Sequence, residues 1–329
     1  MAERYSSPAA DITDYWEFFE LALSRGWTDG LPVCPPTEDR VGAVIEYLGR
    51  GPQETIGVIE PQKGVATVEQ VAINCVMAGC TPQMAPVVIT AIEAMLEPVF
   101  SLHGVQSTTN PCAPLVIVNG PITRDLGFNV VEGAYGGGSH ANAAIGRAVR
   151  LVLWNIGGGL PGITDMSTQG SPAKFAFCVA ENEEASPWTL LHEERAGLDR
   201  DRNAVTVFAC QAPDPVFVPG TTDRILKLLA CSLPTVGINM FHTAGQYLLS
   251  FSGKVAQELD RGGYSKEALK EWLWKNAGYN VGWLKRSGIL EEGEGHMYYW
   301  GHGVDDPPNL SNLPDDAVVP MVETPQDIH

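Results

Sequence analysis

One short run of residues constrains the fold of this chain more than any other: APLVIVNGPI, at positions 113–122. The run is almost continuously apolar, whereas a strand with one face in water alternates apolar and polar residues. It is therefore typical of a strand that is buried on both faces, at the centre of a sheet covered by helices. We expect an α/β fold built around this strand.

Segments with helical periodicity or helix-capping residues lie on both sides of that strand. Residues 13–25 place Tyr15, Trp16, Phe19 and Leu23 on one apolar stripe, which predicts a helix. In the segment that begins at residue 81, Thr81 is the expected N-cap and Pro82 the first helical residue. A further helix is predicted from about residue 142 to residue 155, directly after a glycine-rich loop.

After residue 203 the order of elements starts again. The strand, loop and capped helix of residues 204–235 parallel those of residues 54–82, and two later segments match 112–128 and 139–158 in the same order. This order predicts two similar α/β halves from an internal duplication, although generic β-loop-α units can match by chance. The expected parts are an N-terminal helical and loop segment (1–50), a first half (51–165), a largely irregular connecting segment (166–203), a second half (204–290) and a C-terminal arm (291–329).

The composition excludes several classes of function. Acidic residues outnumber basic ones by 39 to 21, for a formal charge of −18, and such a chain repels the phosphate backbone of nucleic acids. The N-terminus lacks the layout of a signal peptide, and no apolar run reaches the roughly 18 residues that a membrane helix needs. Seven cysteines, without a CxxC pair, suggest reduced thiols. We expect a cytoplasmic oligomer that binds neither nucleic acid nor membrane.

The glycine-rich loop before the predicted 142–155 helix has the features of an anion site. Gly137 and Gly138 allow a ligand to approach the backbone closely, and Ser139 can cap the helix, whose N-terminus offers free N–H groups. Asn142 and Arg147 follow on that helix and could add a hydrogen bond and a charge. Because the spacing matches neither a Walker A motif nor GxGxxG, a small carboxylate-bearing molecule is expected rather than a nucleotide. The alternative is a tight structural turn.

Polar residues flank the central strand, with Thr109 before it and Asn119 at its carboxyl end. In open α/β sheets ligands bind beyond the carboxyl ends of the strands, which places Asn119 at the expected site. We expect Thr109 and Asn119 to orient the substrate by hydrogen bonds. Asparagine is also a common turn former, so a structural role for Asn119 stays open.

Four residues are candidates for catalysis. Cys80 lies just before a predicted helix N-terminus, which favours a nucleophilic thiolate, although it also follows the end of the preceding helix. The other six cysteines, Cys34 included, lie in apolar or turn contexts and are expected to be structural. His140, Glu183 and His192 could move protons or, alternatively, bind a metal ion together. The charges around Glu183 could also form no more than a solvated face.

Five segments of the chain, taken together, resemble a group of poorly characterised bacterial proteins of about this length: DGLPVCPPTEDRV, ATVEQVAINCVMAGC, STTNPCAPLVIVNGPI, GGGSHANAAIGRAVRL and CVAENEEASPWTLLHEER. Members of that group often occur beside a small protein with a Sec/Cys-Gly-Ser-Cys motif. The resemblance covers about residues 27–280 and implies a small redox-type partner subunit. It also draws attention to the residues in its most distinctive segments, Cys80, Asn119, Asn142, Arg147, Glu183 and His192. This chain departs from the group at Cys34 and at 137–140.

Three hypotheses about function follow. The first is an enzyme, the larger subunit of a two-component system, that makes or breaks a carbon–heteroatom bond of a small anionic organic molecule with the Cys80 thiol. The second is a metal-dependent lyase or hydrolase that uses His140, Glu183 and His192 as ligands. The third is a non-catalytic binding or scaffold subunit of a hetero-oligomer. No cofactor is indicated by any motif.

Overall fold

The structure is a computed structural model that describes residues 5–237, 245–290 and 309–329. The chain divides into two compact units, residues 1–183 with 190–213 and residues 184–189 with 214–329. The first unit contains the following elements: α1 (Tyr15–Ser24), α2 (Glu38–Leu48), β1 (Thr55–Ile59), β2 (Gly64–Thr67), α3 (Val68–Ala78), α4 (Ala85–Leu96), α5 (Leu102–Ser107), β3 (Ala113–Asn119), α6 (Ile122–Asp125), α7 (His140–Asn155), β4 (Cys178–Ala180), α8 (Leu191–Ala196) and β5 (Ala204–Cys210).

The central strand is confirmed as β3, and every one of its residues is buried. It lies between β4, with which it is parallel, and β5, with which it is antiparallel. Val116 is opposite Cys178 on one side and Val207 on the other. The fold is therefore mixed α/β, with β3 as the middle strand of a three-stranded sheet. Both faces of β3 are shielded from water, which explains why its sequence is almost entirely apolar.

Helices α3 and α7 pack against each other in the core of this unit. Helix α3 begins with a capping box between Thr67 and Gln70, and it ends at Gly79, whose φ of 87° gives the left-handed C-cap. Helix α7 is capped by Ser139, as predicted, because its hydroxyl accepts a hydrogen bond from the N–H of Asn142. These caps fix where the turn after α3 and the start of α7 lie.

One glycine sets how closely α7 approaches the sheet. A Cβ atom on Gly146 would lie 2.7 Å from the backbone nitrogen of Phe177, which is shorter than real contacts. Only glycine allows α7 to lie this close to the segment that leads into β4. The sequence pattern of α7 does not reveal this requirement, since an isolated glycine inside a helix has many causes.

The N-terminal segment is held to α3 through Glu69. The carboxylate of this fully buried residue accepts hydrogen bonds from the N–H groups of Ser6 and Ser7, the hydroxyl of Ser6 and the amide of Gln53. Burial raises the pKa of Glu69, but the hydrogen bonds together outweigh it and lower the pKa below its ordinary value. The carboxylate is therefore charged at neutral pH and is satisfied by its donors.

The second unit is mainly helical and has its own apolar core. Its elements are α9 (Thr222–Ser232), α10 (Gly253–Arg261), α11 (Lys266–Asn276), β6 (Gly278–Asn280), α12 (Val281–Arg286) and β7 (Val318–Pro320), with β6 and β7 antiparallel. Residues 319, 321, 322 and 328 are buried in that core. The described part of the predicted C-terminal arm, residues 309–329, is thus packed structure, and the remainder of the arm (291–308) lies outside the described residues.

The structure does not confirm the internal duplication. The strand expected to open the second half, β5, pairs along its whole length with β3 and belongs to the first unit. The segment expected to repeat the central strand contributes only an isolated bridge, between Tyr247 and Ile328. Local patterns predicted the strand at 204–210 but not its partner, because pairing is decided by contacts between distant parts of the chain.

Membrane-spanning potential is limited in the described residues. No single helix there is both long enough and apolar enough to cross a bilayer. One bent pair, residues 82–96 and 98–107, passes on length and composition only when both helices are counted together. Helix α4, which is part of that pair, places seven of its residues in the buried core of the first unit.

Candidate active site

A cavity of about 300 Å³ opens on the first unit, between α2 and the turn that joins α3 to α4. Two cysteines and an arginine line it, Cys34, Cys80 and Arg40, together with the backbone of Gly79. The rest of the lining is apolar, from Ala43, Val44, Val76 and Pro82. An apolar concavity with a few polar groups is the usual form of a small-molecule site.

Cys80 lies at the base of this cavity and is 9% exposed. Its backbone N–H donates to the carbonyl of Cys75 (2.9 Å), and its thiol donates to the carbonyl of Ala144 in α7 (3.3 Å). The residue follows α3 directly, because the left-handed Gly79 ends that helix and turns the chain. The sequence predicted a cysteine between two helices, and the structure adds that this residue lines a cavity.

Cys34 is a site residue that the sequence reasoning assigned to structure. It lies in the loop between α1 and α2, is half-buried, and donates its N–H to the carbonyl of Met77 at 3.0 Å. Its Sγ would be 3.9 Å from a Cβ atom on Gly79, the residue before Cys80. The loop therefore brings a second thiol beside the turn that carries the first. The one signal in the sequence was its position in the proline-rich stretch LPVCPP.

Arg40 is the second site residue that the sequence reasoning missed. It lies in the first turn of α2, and its side chain is exposed. Among the residues that the structure describes, it has neither a hydrogen-bond partner nor an ion pair. An arginine without a counter-ion at the rim of a cavity is available to bind an anion.

His140 contacts the same turn from the other side. It is the first residue of α7, is exposed, and its Nε2 lies 2.8 Å from the carbonyl oxygen of Gly79. If Nε2 carries the proton of that hydrogen bond, the neutral ring keeps Nδ1 as an acceptor. His140 thus contacts the residue that directly precedes Cys80.

Arg147 does not contact a free anion site, contrary to the prediction. Its guanidinium binds both carboxylate oxygens of Asp29, at 2.8 and 3.0 Å, and also the carbonyls of Leu31 and Pro32. Both side chains are largely buried. The physical reason is geometric: a bidentate arginine with two further acceptors has four of its five N–H donors occupied. Arg147 instead anchors the loop that carries Cys34.

The glycine-rich loop is folded by Asn142. The carboxamide oxygen of this buried residue accepts from the N–H of Asn129, and its nitrogen donates to the carbonyls of Asn129 and Ala134. Its donors are therefore occupied by the loop, which agrees with the structural-turn alternative for this residue. Gly137 and Gly138 are exposed with open space beside them, and Ser139 is used in capping α7.

A separate polar cluster lies at the carboxyl ends of β3 and β4. The Asn119 amide nitrogen donates to Glu181 (2.7 Å) and Glu183 (3.0 Å), while Glu183 also accepts the N–H of Gly120 at 2.7 Å. Glu181 accepts the N–H of Leu191 at 2.9 Å. Neither carboxylate is in an ion pair with the residues that the structure describes. The cluster is therefore negative.

Two side chains in or beside this cluster, those of Asn119 and His192, contain buried atoms without a hydrogen-bond partner among the described residues. The carboxamide oxygen of Asn119 and both ring nitrogens of His192, which is 1% exposed, have no hydrogen bond within the described residues. Glu183 and His192 come from adjacent elements, but His140 lies at the turn after α3. No three His, Cys, Asp or Glu side chains form a metal-binding group in the part of the chain that is described. The predicted ligand set of His140, Glu183 and His192 is thus not assembled.

Thr109 lies at the wrong end of the sheet to act with Asn119. Thr109 precedes β3, whereas Asn119 is the last residue of that strand. The extended strand between them is about 20 Å long. Thr109 is exposed, and its carbonyl accepts the N–H of Thr168. The two residues therefore lie at opposite ends of β3, too far apart to contact one small molecule together.

The remaining cysteines do not line the cavity. The hydrogen bond to the Cys80 thiol and complete burial raise the pKa of Cys75 well above its ordinary value. Burial raises the pKa of Cys178 and Cys112, and it raises that of Cys210 to about 12. Cys231 is exposed, but it lies on α9 in the second unit. Among the seven thiols, Cys34 and Cys80 share the cavity.

No protein-family model matches this chain, and neither a curated protein nor a solved structure resembles it significantly.

Proposed function

We propose that this protein is an enzyme that uses the thiol of Cys80 on a small anionic organic molecule, making or breaking a carbon–heteroatom bond. The single observation that supports the proposal most is that a reactive residue type and an unpaired cation, Cys80 and Arg40, line one cavity. A volume of about 300 Å³ matches a small molecule.

Each residue has a role in this reaction. Arg40 binds the carboxylate or another anionic group of the substrate. Cys80 attacks an electrophilic carbon, and a carbon–sulfur bond forms while the bond from carbon to the leaving heteroatom breaks. The thiol proton passes to His140, the base that we assign because its ring lies 2.8 Å from the carbonyl oxygen of Gly79, the residue before Cys80. The leaving group departs with the electron pair.

The wider setting is also a proposal. All seven cysteines are free thiols in the structure, which supports a reducing compartment such as the cytoplasm. Tyr15, Trp16 and Leu23 of α1 are 37%, 66% and 48% exposed, and such an apolar stripe supports an oligomer or a small redox-type partner subunit. In the competing hypothesis, a scaffold subunit, the chain alone would have no reactive thiol in its cavity.

The test compares two alkylating agents of different charge on the native protein. Iodoacetate is an anion and iodoacetamide is neutral, and the modification of each cysteine is followed by peptide mass spectrometry. We expect Cys80 to react with iodoacetate faster than a free thiol does. The variant Arg40→Gln should slow the iodoacetate reaction about threefold or more and leave the iodoacetamide reaction unchanged.

The matched control is Arg25→Gln, since Arg25 is the exposed C-cap residue of α1 and lies outside the cavity lining. It should change neither rate. If Cys80 resists both reagents until the protein unfolds, the thiol mechanism is wrong and the scaffold hypothesis replaces it.

A further inference from the structure

The cavity holds a second thiol that the proposed reaction does not use. Cys34 comes from the loop before α2, and Cys80 comes from the turn after α3. The Cys34 Sγ lies 3.9 Å from the Cβ position of Gly79, and standard backbone geometry then puts this sulfur within about 9 Å of the Cα of Cys80. Because both cysteines line one cavity, the same ligand molecule can react with each of them.

We propose that Cys34 and Cys80 form a dithiol pair that reduces small anionic disulfides. The activity rests on the same cavity as the proposed function, but it breaks a sulfur–sulfur bond and requires Cys34. Cys34 is half-buried and Cys80 is 9% exposed, so an entering disulfide meets Cys34 first. Arg40 attracts the negative charge of the substrate.

The reaction proceeds in two exchanges. The Cys34 thiolate attacks one sulfur of the disulfide, and a mixed disulfide forms as the first substrate thiolate leaves. The Cys80 thiolate then attacks the Cys34 sulfur and expels the second substrate thiolate. The protein is oxidised by two electrons to a Cys34–Cys80 disulfide, the substrate is reduced to two thiols, and the two protein thiol protons go to the leaving thiolates. An external dithiol restores the reduced pair by the same steps in reverse.

The neighbouring residues support this order of events. Cys80 donates its thiol hydrogen to the carbonyl of Ala144 and is more buried than Cys34, so it is placed to act second, on the mixed disulfide at Cys34. Gly79 has no side chain to separate Cys34 from the turn, and its φ of 87° disfavours any other residue. Cys75 is the rival partner for Cys80 because their thiols are hydrogen-bonded, but Cys75 is fully buried and does not line the cavity.

The test uses 5,5′-dithiobis(2-nitrobenzoate), a disulfide with a carboxylate on each half, which releases a coloured thiolate at each exchange. All proteins carry Cys231→Ser, because Cys231 is exposed in the second unit and would react independently. We expect the reference protein to release two coloured thiolates from the pair and to show a Cys34–Cys80 disulfide by peptide mapping. The variant Cys80→Ser should release one and keep the reagent attached at Cys34.

Two further comparisons complete the test. Arg40→Gln should slow the reaction about threefold or more, with no change toward 4,4′-dithiodipyridine, a neutral disulfide. Cys75→Ser should behave as the reference protein. A Cys75–Cys80 disulfide, or a mixed disulfide at Cys34 that persists in the reference protein, would overturn the pairing. Peptide mapping of the reference protein decides this even if Cys80→Ser does not fold, and iodoacetate labelling of Cys80 tests the proposed function separately.

Discussion

The ion pair between Arg147 and Asp29 allows the most quantitative test of how the cavity is built. The two residues are 118 positions apart in the chain, and their side chains are 16% and 4% exposed. The variant Arg147→Met keeps most of the apolar length of the side chain but leaves the Asp29 carboxylate buried without its cation. Removing one partner of a buried pair costs about 3–5 kcal/mol of unfolding free energy.

Lysine at the same position should be intermediate. Arg147→Lys retains a positive charge but cannot reproduce the two parallel bonds to the carboxylate and the bonds to Leu31 and Pro32, so we expect a loss of about 1–2 kcal/mol. The control is Arg50→Met in the same unit, because Arg50 pairs with the half-exposed Glu54 and Glu93. That change should cost no more than about 1 kcal/mol.

Urea denaturation measures these differences, and a thiol readout links them to the cavity. Since Arg147 holds the loop that carries Cys34, Arg147→Met should increase the rate of Cys34 alkylation in the native protein. Arg50→Met should leave that rate unchanged. The reasoning is refuted if Arg147→Met costs less than about 1 kcal/mol, or if the loop stays as protected as in the parent protein.

Three further predictions concern packing and charge. Gly146→Ala should destabilise the protein by about 1–3 kcal/mol in urea because its methyl group meets backbone, whereas Gly137→Ala, in open space, should change stability by less than about 0.5 kcal/mol. The lowered pKa of Glu69 means that its contribution is complete above the ordinary carboxyl pKa and is lost as pH falls through the folded-state pKa. Glu69→Gln should therefore flatten the fall of the urea midpoint below about pH 5, and an unchanged profile would contradict it. Asn119→Asp adds a third carboxylate beside Glu181 and Glu183, so it should cost about 2 kcal/mol or more at pH 7 and less at pH 4.5, and equal losses would contradict it.

Parts of the fold could be predicted because they depend on local patterns. The run of seven buried residues in β3 has one explanation, and the Ser139 cap marks the start of α7 within its own turn. The partner of β5 could not be predicted in the same way. Its residues suit a partly buried strand in any sheet, and its pairing with β3 joins positions about 90 residues apart.

The candidate site shows the same division between local and distant contacts. Cys80 could be predicted, since its place between two helices is visible in the sequence. Cys34 and Arg40 could not, because they reach Cys80 only when the loop before α2 docks on α3 and α7. Arg147 was assigned to the substrate for the same reason: a cation after a glycine-rich loop looks alike in sequence whether or not a distant carboxylate neutralises it.

The charges decide which of two places in the first unit can hold an anionic molecule. The carboxyl end of β3, where α/β sheets commonly bind ligands, carries the carboxylates of Glu181 and Glu183 without an ion-pair partner among the described residues. Two such charges repel an anion, and in a half-buried setting the repulsion is of the order of 1 kcal/mol or more for each charge. The cavity beside Cys80 has the opposite character, because Arg40 is its charged lining residue. The anionic substrate of the proposed function is therefore expected to bind beside Cys80, at the turn after α3, and not at the carboxyl end of β3.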